Sequence, residues 1–191
     1  MSALPELPEL IHDLQPGPET GLACILDTET TGLGAADEAI ELAMVLFAYN
    51  RNDGTVLGIV DRYTGLREPT VPIGQGAYQV HGISAEAVRG KRLDFDRVES
   101  ILHRAEFIIA HNAPFDQRYV FKLSDTAREK PWLCSMNGID WYRKGFGTKA
   151  LQGLLAKHTI AAGQAHRALD DVLGVLHLLS RERYLAELLK L

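Results

Sequence analysis

Two acids stand two residues apart in Asp27-Thr28-Glu29-Thr30-Thr31-Gly32, directly after the apolar run Leu22-Ala23-Cys24-Ile25-Leu26. Side chains alternate along a strand, so this spacing sends both carboxylates to one face, a geometry suited to shared divalent cations. A third acid, Asp116, follows His111-Asn112-Ala113-Pro114-Phe115, where the apolar stretch Phe107–Ala110 empties into a helix start. The ends of such strands are where ligand sites gather in open α/β sheets. The last cluster is His166-Arg167-Ala168-Leu169-Asp170-Asp171. If all of it were helical, His166 and Asp171 would project about 140° apart, so His166 belongs on the loop leading into the helix that carries Asp171. Each segment also has a plain structural reading. The DxE pair fits a strand entering a polar turn, Asn112 and Asp116 fit helix-cap and first-turn positions, His166 fits an exposed loop, and Asp170 competes with Asp171.

Three strands are expected first: the run ending at Leu26, then Ala39–Tyr49 and Val56–Thr64, the last two joined across Asn50-Arg51-Asn52-Asp53-Gly54, whose Asp-Gly is a hairpin signal. Helical spacing of Val98, Ile101, Leu102 and Ala105 precedes the strand at 107–110, and a helix is expected over Pro114–Leu123. Residues 132–141 mix strand and helix character. Leu151, Leu154 and Leu155 share one face, and Leu169, Val172, Leu173, Leu176 and Leu179 form the stripe of a helix over Ala168–Ser180. The order βββαβαβαα predicts an α/β fold: a mixed five-stranded sheet, made of a three-strand antiparallel meander plus parallel strands, flanked by helices.

The chain has 191 residues, 46% hydrophobic and 24% charged, enough for one domain with a buried core. Residues 1–21, rich in proline and glycine, read as an arm with a helical turn near Leu7–Leu14, and 22–191 as a single domain. No apolar run is long enough to cross a membrane, and Cys24 and Cys134 are too far apart to suggest a zinc site or a disulfide framework, so a cytoplasmic protein is expected. The net charge of −5 argues against a protein that coats nucleic acid through a basic surface. It does not argue against an enzyme whose acids are neutralised locally by cations.

DTETTG, HNAPFD and HRALDD, in this order and at these separations, resemble the three motifs of the DEDDh exonucleases of the ribonuclease-H-like superfamily, similar to the proofreading epsilon subunit of DNA polymerase III and exonuclease X. The resemblance runs from about Leu22 to Leu179. It implies a ribonuclease-H-like fold, with Asp27, Glu29, Asp116 and Asp171 holding two Mg²⁺ or Mn²⁺ ions, Glu29 and His166 serving catalysis, and His166 the general base. It implies hydrolysis at nucleic-acid 3′ ends, DNA favoured, with release of nucleoside 5′-monophosphates. A polymerase or repair partner is compatible with it. Arg167 stands where the sister subgroup would need a tyrosine. Val80-His81-Gly82-Ile83-Ser84 resembles the loop near the terminal nucleotide. Leu33, Phe115 and His81 are candidates to contact the end base, with Asn112 and the backbone near Thr30 and Gly32 adding hydrogen bonds. An exoribonuclease of the ribonuclease T or oligoribonuclease kind is the alternative, followed by a binding domain without catalysis.

Overall fold

The apolar run at Leu22 does not stop at Asp27: β1 extends over Thr20–Thr30, and pairs antiparallel along its whole length with β2 (Ala39–Asn50), which in turn pairs with β3 (Val56–Leu66). The computed structural model describes residues 17–161 and 165–191. Most of the arm expected over 1–21, including the turn at 7–14, lies outside the described residues, and β1 begins inside its last two positions. On the other side of β1, β4 (Ile108–Ala110) and β5 (Trp132–Cys134) add in parallel, giving the order β3-β2-β1-β4-β5. This is the mixed sheet that the sequence pattern predicts.

β1 and β2 occupy the middle of the sheet and are apolar on both faces, which is why neither shows polar alternation over most of its length. Ala23, Ile25, Ala43 and Val45 pack beneath α6 (Leu151–Lys157), α7 (Ala168–Leu179) and α8 (Tyr184–Leu189). Leu22, Cys24, Leu26, Leu42 and Met44 face the opposite way, onto α3 (Phe95–Arg104) and α4 (Ala113–Val120). The parity of β1 therefore assigns Asp27 and Glu29 to the α7 face and Thr28 to the α4 face.

Besides the C-terminal α8, three short helices were not in the expected order: α1 (Gln75–His81), α2 (Ala85–Val88) and α5 (Asp125–Glu129). None is long enough to repeat an apolar period, and α2 and α5 are marked only by their caps, Ser84 and Ser124, whose hydroxyls accept from Ala87 N and Ala127 N. The leucines at the C-terminus pack inward as α8, with Leu185 and Leu188 buried. At the end of the sheet away from the acids, Gly54 closes the β2–β3 hairpin in the left-handed region (φ 72°). A Cβ there would lie 2.7 Å from the backbone of Ala186 in α8, so both conformation and space demand glycine. No helix among the described residues is long and apolar enough to cross a membrane.

Candidate active site

The C-terminal end of β1, the first turn of α7 and the first turn of α4 meet at one end of the sheet. From α4, the buried Asp116 reaches the strand: its Oδ1 accepts both the backbone N–H (3.0 Å) and the hydroxyl (2.9 Å) of Thr28. From α7, Asp171 accepts from Gln152 Nε2 at 2.7 Å and from the backbone N–H of His166 at 3.2 Å. His166 lies before the helix, as the angular argument requires, in a left-handed conformation (φ 61°) with its side chain exposed. One potential ligand atom from each of Glu29, His166 and Asp171 lies within 4.8 Å of the others.

The electrostatics describe an anionic site short of counter-charge. Burial, followed by the Asp116, Glu29 and Asp171 carboxylates, pushes Asp27 well above the usual carboxylate range. Burial, then Asp171, Glu41 and Asp116, pushes Glu29 up to about 8, against an opposing contribution from Arg167. Burial raises Asp116 while the two Thr28 bonds pull it down, and burial raises Asp171 against the His166 N–H. Clustered carboxylates that resist ionisation need a cation to be charged together. The donor set, carboxylate oxygens with one imidazole, fits a hard divalent ion such as Mg²⁺ or Mn²⁺.

A cleft of about 470 Å³ opens beside Glu29. Thr30, Gly32, Leu33, His81 and Phe115 line it, together with Val80 from α1. Leu33 is 76% exposed, and Phe115 packs against Tyr119 with ring centroids 5.1 Å apart. Asn112 is the exposed, left-handed residue (φ 75°) before α4 and is not among the residues lining the cleft. His81 is buried, and both ring nitrogens are engaged. Its Nδ1 accepts from Ile83 N at 3.0 Å, so Nε2 carries the hydrogen and donates to Thr30 O at 3.1 Å. The ring fixes the cleft wall to the end of β1.

The loop after the first acidic segment is tied down by α4 and the turn that follows it. Tyr119 donates its hydroxyl to Gly32 O at 2.8 Å, Arg118 donates to Leu33 O at 3.2 Å, and Lys122 donates to Ala35 O and Asp37 O at 2.8 and 3.0 Å. The cations at 118 and 122 hold this loop.

A family model described as an exonuclease, RNase_T, matches residues 24–179. The chain belongs to that exonuclease family. It is 31% identical over 168 residues to the PolC-type DNA polymerase III of Thermotoga petrophila, and 28% identical over 175 residues to that of Listeria monocytogenes. These alignments cover 80% and 84% of this chain but 11% of each polymerase. Among solved structures, exonuclease X in complex with 5′ overhanging duplex DNA is 27% identical, with a TM-score of 0.61, and the match covers 83% of this chain and 89% of that one. Exonuclease I of E. coli in complex with a dT13 oligonucleotide shares the fold at 18% identity, with a TM-score of 0.68, covering 85% of this chain and 42% of that one.

For this exonuclease, reasoning from sequence passed over three residues that touch the site. Thr28 lies inside the first motif and supports Asp116. Glu41, 3% exposed on β2, is paired with Arg167. Its signal was available: a lone acid inside Ala39-Ile40-Glu41-Leu42-Ala43, a stretch otherwise buried on both faces. Gln152 carried no signal, since its contact with Asp171 arises only when α6 packs on α7.

Proposed function

We propose that residues 22–191 act as one catalytic domain, in the cytoplasm, that shortens single-stranded DNA from its 3′ end and releases nucleoside 5′-monophosphates. Asp27, Glu29, Asp116 and Asp171 would hold two Mg²⁺ or Mn²⁺ ions, which when bound offset the charge of the scissile phosphate and make a water more acidic. His166 takes the proton of the attacking water. The water oxygen bonds to phosphorus as the bond from phosphorus to the 3′-oxygen of the penultimate nucleotide breaks, and that oxygen takes a proton from solvent, leaving a 3′-hydroxyl on the shortened strand. The exposed loop position suits the imidazole for this, because it reaches the water from solvent while the acids approach from the protein. Leu33 and Phe115 contact the terminal base through apolar surfaces, which tolerate any base. His81 acts by holding the cleft wall.

The observation that carries this reading is the convergence of Glu29, His166 and Asp171 within 4.8 Å beside the cleft that Glu29 also lines. DNA is favoured over RNA because the PolC-type relatives are DNA polymerases and the exonuclease X neighbour holds DNA. The same relatives make a polymerase or repair assembly the expected partner. The test is a time course with 5′-labelled single- and double-stranded DNA and RNA, in Mg²⁺, Mn²⁺ or EDTA, with Asp27→Ala as control. A ladder shortening from the 3′ end that needs metal and Asp27 supports the proposal. Activity in EDTA or in the variant overturns the metal assignment, and faster loss of RNA overturns the DNA preference.

A further inference from the structure

Glu41 belongs to none of the three acidic segments. It lies on β2 directly across the ladder from Glu29, so the two carboxylates share the α7 face of the sheet. Two buried acids in that relation repel each other, yet Glu41 is fully engaged. Its Oε1 accepts Arg167 Nη2 at 2.8 Å, and its Oε2 accepts Arg167 Nε at 3.3 Å and the backbone N–H of Ala168 at 3.1 Å. Ala168 is the first residue of α7, and Arg167 has no capping side chain of its own. Glu41 thus caps the helix from another strand, where an anion also favours the positive end of the helix dipole. The bidentate pairing with Arg167 adds orientation to charge.

The residue immediately before this clamp is His166. Its backbone is in the left-handed region, which a non-glycine residue keeps only when its surroundings hold it there. Two things hold it. One is the bond from its N–H to Asp171, and the other is the fixed position of Arg167. We infer that Glu41 is a positioning residue for His166: by clamping Arg167 and the first N–H of α7, it sets the direction from which the imidazole meets the attacking water. This inference rests on the reading of His166 as the general base. It assigns Arg167 the matching role, as the half-exposed partner that transmits the constraint (39% exposed at its side chain, against 3% for Glu41).

The discriminating measurement is Glu41→Gln in two backgrounds, with kcat and KM on single-stranded DNA and a thermal melt for each protein. In the wild-type background kcat should fall roughly 10- to 100-fold, the usual cost of misaligning a reacting group by about an ångström, with KM little changed. In the His166→Ala background the same substitution should change kcat by less than about twofold, since the group it positions is gone. Equal losses in both backgrounds, or a loss carried by KM, would overturn the inference and show a structural role only. If His166→Ala itself leaves kcat unchanged, the general-base reading fails, and the inference with it; wild-type activity and its loss in Asp27→Ala are scored separately. Should Glu41→Gln fail to fold, Arg167→Gln carries the same comparison. Arg167→Lys, which keeps a cation beside Glu41, should recover part of the lost kcat, and recovery no better than glutamine would count against the clamp.

Discussion

Thr28 gives both its backbone N–H and its hydroxyl to a single oxygen of Asp116. The two bonds stabilise the charged carboxylate against burial, which pushes the opposite way. Thr28→Val removes only the hydroxyl bond and keeps the β-branched shape the strand favours. A hydrogen bond to a charged group is worth about 1.5–3 kcal/mol, so the Mg²⁺ concentration for half-maximal rate should rise roughly 10- to 100-fold. Thr28→Ser should stay near wild type. An unchanged Mg²⁺ requirement in the valine variant would remove Thr28 from the metal site.

Glu29 has a folded pKa of about 8 against an ordinary 4.5, so the fold favours its protonated form. The sign follows: the stability this group contributes is complete below pH 4.5 and is lost as pH rises through 8. In EDTA, its contribution should lower the unfolding temperature across that interval. Divalent metal removes the penalty, so the stabilisation by Mg²⁺ should be larger at about pH 9 than at about pH 6. At a hundredfold excess over Kd it should reach about 5–10 °C, from about 2.7 kcal/mol in a domain this size. Scanning calorimetry at both pH values, with and without metal, is the check, and a metal effect independent of pH would contradict it.

Asp27→Asn separates function from stability. It removes the charge that burial and four neighbouring carboxylates oppose. The variant should be inactive with Mg²⁺, yet melt about 2–8 °C higher than wild type in EDTA, as roughly 1–2 kcal/mol gives at this length. A lower melting temperature in EDTA would show that the Asp27 carboxylate contributes to the fold.

Leu33 and Phe115 line the cleft from different elements, the loop after β1 and the start of α4. Replacing either by alanine should raise KM for single-stranded DNA roughly 5- to 100-fold, the range of about 1–3 kcal/mol for one base contact. For Leu33→Ala the melting temperature should not move, because that side chain is mostly in solvent. Steady-state kinetics on a short oligonucleotide would show whether the loss is in KM, and a loss in kcat alone would place the base elsewhere.

Much of the architecture was legible because its strands are simple. β1 and β2 are apolar on both faces, the Asp53-Gly54 turn is unambiguous, and α7 repeats its stripe for three turns. The placement of His166 before α7 followed from angular spacing once it was taken to share a site with Asp171. What escaped was whatever depends on contact across elements. Glu41 is one acid among many until β2 is laid beside β1 and Arg167 folds over it. Arg118 and Lys122 are ordinary cations until the carbonyls of the 33–37 loop come within reach. Asn112 is not among the residues lining the cleft, although Phe115, three positions on in the first turn of α4, is.

The packing of Gly54 against Ala186 has a practical side. It pins the last helix to the end of the sheet opposite the carboxylates, so whatever is attached after Leu191 hangs from the far pole of the molecule. Immobilising the protein through that end should leave the cleft facing open solution, and bulky cargo fused there should leave turnover unchanged. A residue larger than glycine at position 54 would prise that pole apart, and a tether that had been neutral would then begin to report on the fold.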